Sequence, residues 1–409
     1  MLEPLTGCRS CGSASLMPFL SLGEMPLTAA FVREDQLGEP EARFPLTVAF
    51  CGDCTLVQTL ETVSPKIIFG RDYPYYSSFS DVLLQHSREN ALSLIESRGL
   101  SSDSLVVELA SNDGYLLRNF VEMGVPVLGI DPAEGPARDA EAAGVPTLRE
   151  FFGVALAQRL RAEGKSADVI IANNVLAHVP DLNGFVEGMR FLLAEDGLAV
   201  IEVPYLRDLV EGCEFDTIYH EHLCYFSVTA LDALFRRHGL HLNHVQHLAL
   251  HGGSLRLSVS HHNEPDASVA EYLENEAASG MADFDHYRDF AARVHSVRDG
   301  LLELLGEARS ADKRVAAYGA AAKGCVLLNF AGVGRDHIDF VVDRNVHKQG
   351  MYMPGLRIPV RAPEALLTEM PDYVLLLAWN FKDEIMCQQS EYARRGGKFI
   401  VPIPTPEVV

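Results

Sequence analysis

The strongest constraint on this chain is an alternation. From residue 104 short apolar runs are separated by stretches of helical periodicity. SLVVELASNDGYLL reads as a buried strand, a turn and the start of a helix. VPVLGIDPAEGPARDAEAAG is a second strand ending at Asp131, then a helix. A third strand is expected just before Phe151, and ADVIIANNVLAHV and GLAVIEVPYL supply a fourth and a fifth, separated by the helical FVEGMRFLLAEDG. LHLNHVQHLALHGGSLRLSVS reads as two further strands joined by a His-Gly-Gly-Ser turn. Strands alternating with helices require a mostly parallel sheet covered on both faces, and such sheets bind ligands at the carboxyl ends of their strands.

The same grammar returns after the long helical stretch FDHYRDFAARVHSVRDGLLELLGEA. RVAAYGAAAKGCVLLNFAG is a strand, a glycine turn and a helix, IDFVVDRNVHKQG is a strand ending in an acid, and DYVLLLAWNF is another. A second, smaller doubly wound unit is expected there. A chain of 409 residues is long enough for two or three cores.

The first segment is different. CRSC at 8–11 and CGDC at 51–54 are two CxxC turns, with FPLTVAFC as a strand that delivers the second. Cys8, Cys11, Cys51 and Cys54 can close a tetrahedral sulfur shell around zinc, which leaves no open position for chemistry and makes the metal structural. A thioredoxin-like redox pair is disfavoured, because neither turn lies between a strand and a helix.

The net charge of −22 argues against a nucleic-acid partner, which needs a basic footprint. No apolar run approaches the roughly 20 residues of a membrane span. The opening MLEPLTGCRSCG lacks a basic region followed by an apolar stretch, so a cytoplasmic protein is expected.

The turn from Glu108 through Ala110 and Asn112 to Gly114 stands where a dinucleotide fold carries three glycines, but only one is present. It offers hydrogen-bond partners for an amino-acid portion and a ribose rather than a pyrophosphate cradle. Asp131 can accept from both ribose hydroxyls, Phe151 and Phe152 can sandwich an adenine, and Asn173 and Asn174 end the fourth strand where a sulfonium would lie. The expected cofactor is S-adenosylmethionine. The alternatives are local: Asp131 as a helix cap with Pro132 in the first turn, and the phenylalanines as core.

Together CxxC…CxxC, ELASNDGYLL, GIDPA, IIANNVLAHVPDL, FDTIYHEHLCYFS, HGGSLR and YGAAAKG resemble the bacterial sugar C-methyltransferases that act on TDP-linked 4-keto-deoxysugars in antibiotic biosynthesis. The resemblance runs from end to end. It implies an α/β protein in three parts: a zinc-binding domain over 1–70, a central Rossmann-like class I methyltransferase domain over 71–265, and a smaller doubly wound C-terminal domain over 266–409 that helps hold the nucleotide sugar. It implies methyl transfer at ring carbon 3, or in other members carbon 5. An O- or N-methyltransferase of a nucleotide sugar is the alternative enzyme, and a zinc-ribbon adaptor with a vestigial methyltransferase fold is the non-enzymatic one.

The stretch YHEHLCYFS (219–227) follows the fifth strand and precedes a helix, which places it over the carboxyl edge of the sheet. Carbon becomes nucleophilic only after losing a proton, and a hydrogen next to a ketone can be removed because the product is an enolate. Histidine is a natural base for this. By resemblance His222 is the base, Tyr219, Glu221 and His178 line the sugar pocket, and Tyr76 closes it from above. If the stretch is extended, His220 faces away from His222; a metal held by the two is the competing reading. Lys323, at the entrance to a helix, is expected on the diphosphate, with His251 and Ser254 of the HGGS turn opening on the same rim. Asp343 resembles the ribose-binding acid of an NAD site, so a second dinucleotide is the alternative for the C-terminal unit.

Overall fold

The computed structural model describes residues 2–68, 76–250 and 252–409. Among them seven strands form the central sheet, in which Val106–Leu109 stands third from one edge. On one side lie Val127–Ile130 and then Thr147–Leu148; on the other lie Ala167–Asn173, Leu193–Pro204, Ser254–Ser260 and His241–Leu248. The pairs are parallel as far as Leu193–Pro204, against which Ser254–Ser260 runs antiparallel. Every residue of Val106–Leu109 and Val127–Ile130 is buried, as a strand covered on both faces must be.

Helix Asp81–Arg98 begins at Ser80, whose hydroxyl accepts from the Leu83 amide, and stops at Gly99 in the left-handed conformation. Helix Leu182–Leu192 is shorter than its apolar periodicity suggests. The following LAEDG belongs to strand Leu193–Pro204, whose first residue pairs with Ala167.

The C-terminal unit is a second sheet. It runs Val360–Arg361, Val341–Val342, Val315–Tyr318, Tyr373–Leu376, Lys398–Val401 and Glu407–Val408, with only the last strand antiparallel. The long helix Phe284–Ser310 precedes it. Its buried Tyr287 and Phe290 pack with Phe19 and Phe50, so the C-terminal and cysteine-bearing units share one core.

The cysteine-bearing unit is a four-stranded antiparallel sheet, and one of its strands comes from far away in sequence. Leu16–Pro26 pairs with Arg43–Cys51, which pairs with Val57–Thr59, which pairs with Cys224–Tyr225. The last strand is part of YHEHLCYFS. Leu223 is held from both sides: its carbonyl accepts from the Thr59 amide at 3.0 Å, and its amide donates to Ala177 at 2.7 Å. The Leu206 amide donates to Phe226 at 2.9 Å.

Helix Val228–Arg237 follows at once, and a buried carboxylate fixes its start. Glu276, 1% exposed, accepts from the amides of Val228 and Thr229 and from the Thr229 hydroxyl, at 2.6–2.8 Å, and from the Tyr205 hydroxyl at 3.0 Å. An anion at a helix N-terminus satisfies amides with no intrahelical partner. Glu276→Ala leaves four donors without their acceptor, and we expect it to lower unfolding free energy by about 3 kcal/mol, read as an earlier denaturant midpoint.

Candidate active site

The four cysteines form one cluster. Sγ of Cys8 lies 3.5 Å from that of Cys54, Cys11 lies 3.6 Å from Cys51, and all four fall within 4.8 Å of one another. Zinc–sulfur bonds of about 2.3 Å in a tetrahedron put the sulfurs about 3.8 Å apart, so the residues fit zinc. The Cys54 thiol, the amides of Cys11 and Ser10 and the Gln58 side chain, 3.1 Å away, hold Cys8 down to about 4, against the opposing effect of burial. Gln58 also accepts from the Arg9 amide at 2.9 Å and stands opposite Cys224 in the sheet. The metal cluster and the distal strand therefore share a residue.

Over the carboxyl edge of the central sheet lies a cavity of about 1210 Å³, bordered by all three units. At one end it is lined by Ala110, Asn112, Asp131, Pro132, Phe151, Phe152, Asn173 and Asn174. Ala110, Asn112 and Asn174 have φ of 59°, 50° and 54°, a left-handed backbone that bends two strand ends around the cavity. Asp131 accepts from the Asn112 amide at 2.9 Å and the Ala133 amide at 2.8 Å, with burial raising its pKa. Phe152 packs edge-on against Phe185, whereas Phe151 is half exposed at the rim. The Asn173 carboxamide oxygen is buried without a hydrogen-bond partner. These residues fit S-adenosylmethionine: a buried carboxylate for the ribose, an aromatic slot and an unanswered polar atom where the strand ends.

Two expected contacts lie one layer back. Glu108 is 1% exposed, off the cavity wall and beside Asp131, Asp113 and Glu202; burial pushes its carboxyl well up. Gly114 is also off the wall. Its φ of 74° and the close approach of Val145 and Ala140 make it a packing glycine. Tyr76 borders the cavity. Its hydroxyl stands where a Cβ on Gly135 would be, and Asn112 anchors the neighbouring Ser77 amide at 2.9 Å.

The opposite wall carries the histidines. Residues 219–222 are a turn closed by the His222 amide donating to the Tyr219 carbonyl at 2.9 Å, so the condition of an extended segment is not met. His220 does point away, but because of this turn: it is buried against Phe44, with Nε2 3.1 Å from the Pro45 carbonyl. With Nε2 of His220 facing a carbonyl, the pair is not arranged as a metal clamp through that nitrogen, and the metal-ligand group found among the described residues is the four cysteines. His222 lies 4.0 Å from the Tyr219 ring and 4.8 Å from His178, centroid to centroid. Its Nδ1 lies 2.9 Å from the Thr217 carbonyl. A carbonyl only accepts, so Nδ1 is the donor in this bond. Desolvation pushes His178 down to about 4, against a weaker upward effect from the Glu221 backbone, which keeps it neutral. Glu221 accepts from the Thr28 hydroxyl at 3.0 Å.

The C-terminal unit borders the same cavity with Ala320, Lys323, Asp343, Arg344 and Lys348. Asp343 accepts from the amides of Ala320 and Asn345, both at 2.7 Å, and so ties two turns together. Ser254 is a correction. Its hydroxyl donates to the Leu250 carbonyl at 3.2 Å and its side chain is 2% exposed, off the cavity wall; Gly253 takes its place there. His251 lies outside the described residues. Thr28 and Thr217 were missed from the sequence. Thr28 had no local signal, and Thr217 acts through its carbonyl, which residue type does not reveal.

This sheet order, with its donor pocket over the strand ends and a cysteine cluster in a separate unit, defines a Rossmann-like class I methyltransferase that uses S-adenosylmethionine and carries structural zinc. Three family models match in succession: a zinc binding domain over residues 8–69, a methyltransferase domain over 84–245, and a C-methyltransferase C-terminal domain over 249–404. C-methyltransferase NovU of Streptomyces niveus is 37% identical over 414 aligned positions, spanning 100% of this chain and 98% of that one. The chain belongs to this C-methyltransferase family. A ubiquinone biosynthesis O-methyltransferase of Azorhizobium caulinodans is 28% identical over 125 residues, 30% of this chain and 47% of its own. Among solved structures, magnesium protoporphyrin IX methyltransferase of Synechocystis with bound SAH matches at 15% identity and a TM-score of 0.36, over 44% of this chain and 87% of that one. No described helix is long and apolar enough to cross a membrane.

The neutral His178 has a measurable consequence. Its folded pKa of about 4 lies below the ordinary 6.5, so between those values the unfolded chain binds the extra proton. Stability is therefore lost as pH falls from about 6.5 to 4, by up to about 3 kcal/mol from this group. Unfolding curves of His178→Asn should be flatter than wild type across that window; parallel curves would show that His178 titrates normally.

Proposed function

We propose that the chain methylates carbon 3 of a TDP-linked 4-keto-deoxysugar, with His222 as the base. The observation that carries this reading is the hydrogen bond from His222 Nδ1 to the Thr217 carbonyl, which fixes the ring and puts Nε2 on the edge away from this anchor. Tyr219 and His178 stand against the same ring.

In this reading Nε2 of His222 removes the proton next to the ketone and the imidazole becomes a cation. The electron pair moves into the ring and leaves negative charge on the ketone oxygen. Tyr219 donates to that oxygen as charge develops, which lowers the barrier most where water is excluded, while the neutral His178, its ring N–H given to the Glu221 carbonyl, packs against the His222 ring. S-adenosylmethionine, when bound, supplies the methyl group as an electrophile that the enolate carbon accepts. Glu221, oriented by Thr28, faces a sugar substituent. Asp131 and Asn173 hold and orient the donor. The nucleotide extends toward Lys323, Arg344 and Lys348, three cations bordering one cavity in a chain of net charge −22, which suits a diphosphate.

The cavity supports one continuous ligand line, because donor end, histidine wall and C-terminal cations border one space. His222→Asn should lower kcat by about 10²–10⁴ while donor affinity by calorimetry stays within about twofold. Wild type given a TDP-4-keto-deoxysugar should yield a product one methyl heavier, with NMR placing the methyl on ring carbon 3. Methyl on oxygen or nitrogen, or normal turnover by His222→Asn, contradicts the proposal.

A further inference from the structure

The turn that anchors the base is itself held by the C-terminal unit. Asp216, at the centre of the Phe215–Thr217 turn, is fully buried, and its Oδ2 accepts from Nε1 of Trp379 at 2.7 Å. Trp379 is the chain's one tryptophan and opens the Trp379–Phe381 turn just past strand Tyr373–Leu376. Lys323 places its ammonium 4.3 Å from the indole ring, buried and without a hydrogen-bond partner, where its charge acts on both Asp216 and Glu214. On the other side Phe215 meets Phe330 of helix Ala322–Ala331 at 5.4 Å, edge to face. Two residues in succession, Phe215 and Asp216, are thus gripped by the C-terminal unit, and the next residue offers the carbonyl that fixes His222.

We propose that Trp379 and Asp216 are positioning residues for the base. The indole–carboxylate hydrogen bond fixes the Phe215–Thr217 turn, and the Thr217 carbonyl then keeps the imidazole proton on Nδ1 and the lone pair on Nε2. This rests on the reading of His222 as the base. A fully buried carboxylate that loses its donor must find another or be hydrated, and either requires the turn to move. Once the carbonyl leaves the line of Nδ1, the neutral imidazole shifts toward the tautomer with its proton on Nε2, which an unanchored histidine side chain favours. The tautomer with its proton on Nε2 cannot accept the substrate proton there. Trp379 and Asp216 are off the cavity wall, so their effect on turnover runs through the turn, and any effect on binding runs through Lys323 beside them.

The test uses full-length, zinc-loaded Trp379→Phe and Asp216→Asn, the second retaining an acceptor for the indole. kcat and KM are measured with a TDP-4-keto-deoxysugar, and imidazole nitrogen shifts are read from ¹⁵N-histidine-labelled protein, with the His222 signals assigned by their loss in His222→Asn. The expected result is a fall in kcat of about 10–100-fold in Trp379→Phe with KM nearly unchanged, a His222 spectrum moving from pure Nδ1–H toward a tautomer mixture, and smaller changes in Asp216→Asn. A pure Nδ1–H spectrum in Trp379→Phe overturns the proposal, whatever happens to kcat. If His222→Asn turns over normally, the base assignment fails on its own, and the tautomer measurement still judges the latch. Should Trp379→Phe fail to fold, Asp216→Leu, which removes the acceptor, decides: a wild-type spectrum and a wild-type response of kcat to pH overturn the proposal.

Discussion

The arrangement depends on the pairing of Cys224–Tyr225 with Val57–Gln58. A two-residue strand has no stability of its own; it exists because a longer sheet offers an edge. That edge is the end of the cysteine-bearing sheet, and its geometry follows from the turn at Cys51–Cys54 that leads into Val57–Thr59. A metal that closes Cys8, Cys11, Cys51 and Cys54 therefore fixes more than a small knuckle domain. Through Gln58 and the edge strand it determines where the chain leaves the 219–222 turn, and hence where His222 sits.

Each of the other units adds a constraint to the same few residues. The central sheet contributes Ala177, whose carbonyl takes the Leu223 amide, and His178, which stands against the His222 ring. The C-terminal unit holds Asp216 and Phe215, one residue from the carbonyl that fixes His222. The N-terminal unit reaches in with Thr28 to orient Glu221. A proton-removing histidine must have a defined tautomer and a defined distance from its substrate, and no single loop supplies both. Here the loop is short of regular structure and is over-determined by its surroundings instead.

Much of this was legible in the sequence because it is periodic or compositional. The parallel strands announce themselves as apolar runs, the metal cluster as two CxxC turns, and the donor end as polar residues where strands stop. The failures share a physical cause. Whether 219–222 is extended or turned depends on a tertiary docking strand some 160 residues away, so alternation gave the right direction for His220 for a wrong reason. Ser254 looks like a rim hydroxyl, but a turn of two glycines packs its backbone against Asp208 and Glu214 and spends the hydroxyl on Leu250. Glu108 and Gly114 match a donor-binding turn by position, yet one supports it from below and the other permits its packing. Trp379 carried a signal of rarity only; its partner Asp216 is 163 positions distant.

The account stands on the zinc-organised sheet as the support of the turn that carries His222, and hydrogen–deuterium exchange with and without a chelator tests this directly. On removal of zinc, amides of residues 57–59 and 222–226 should lose protection together, while Val106–Leu109 and Ala167–Asn173 keep theirs. Protection at 222–226 that survives complete loss of the metal would contradict it, and would show that the turn is held by the methyltransferase and C-terminal units alone.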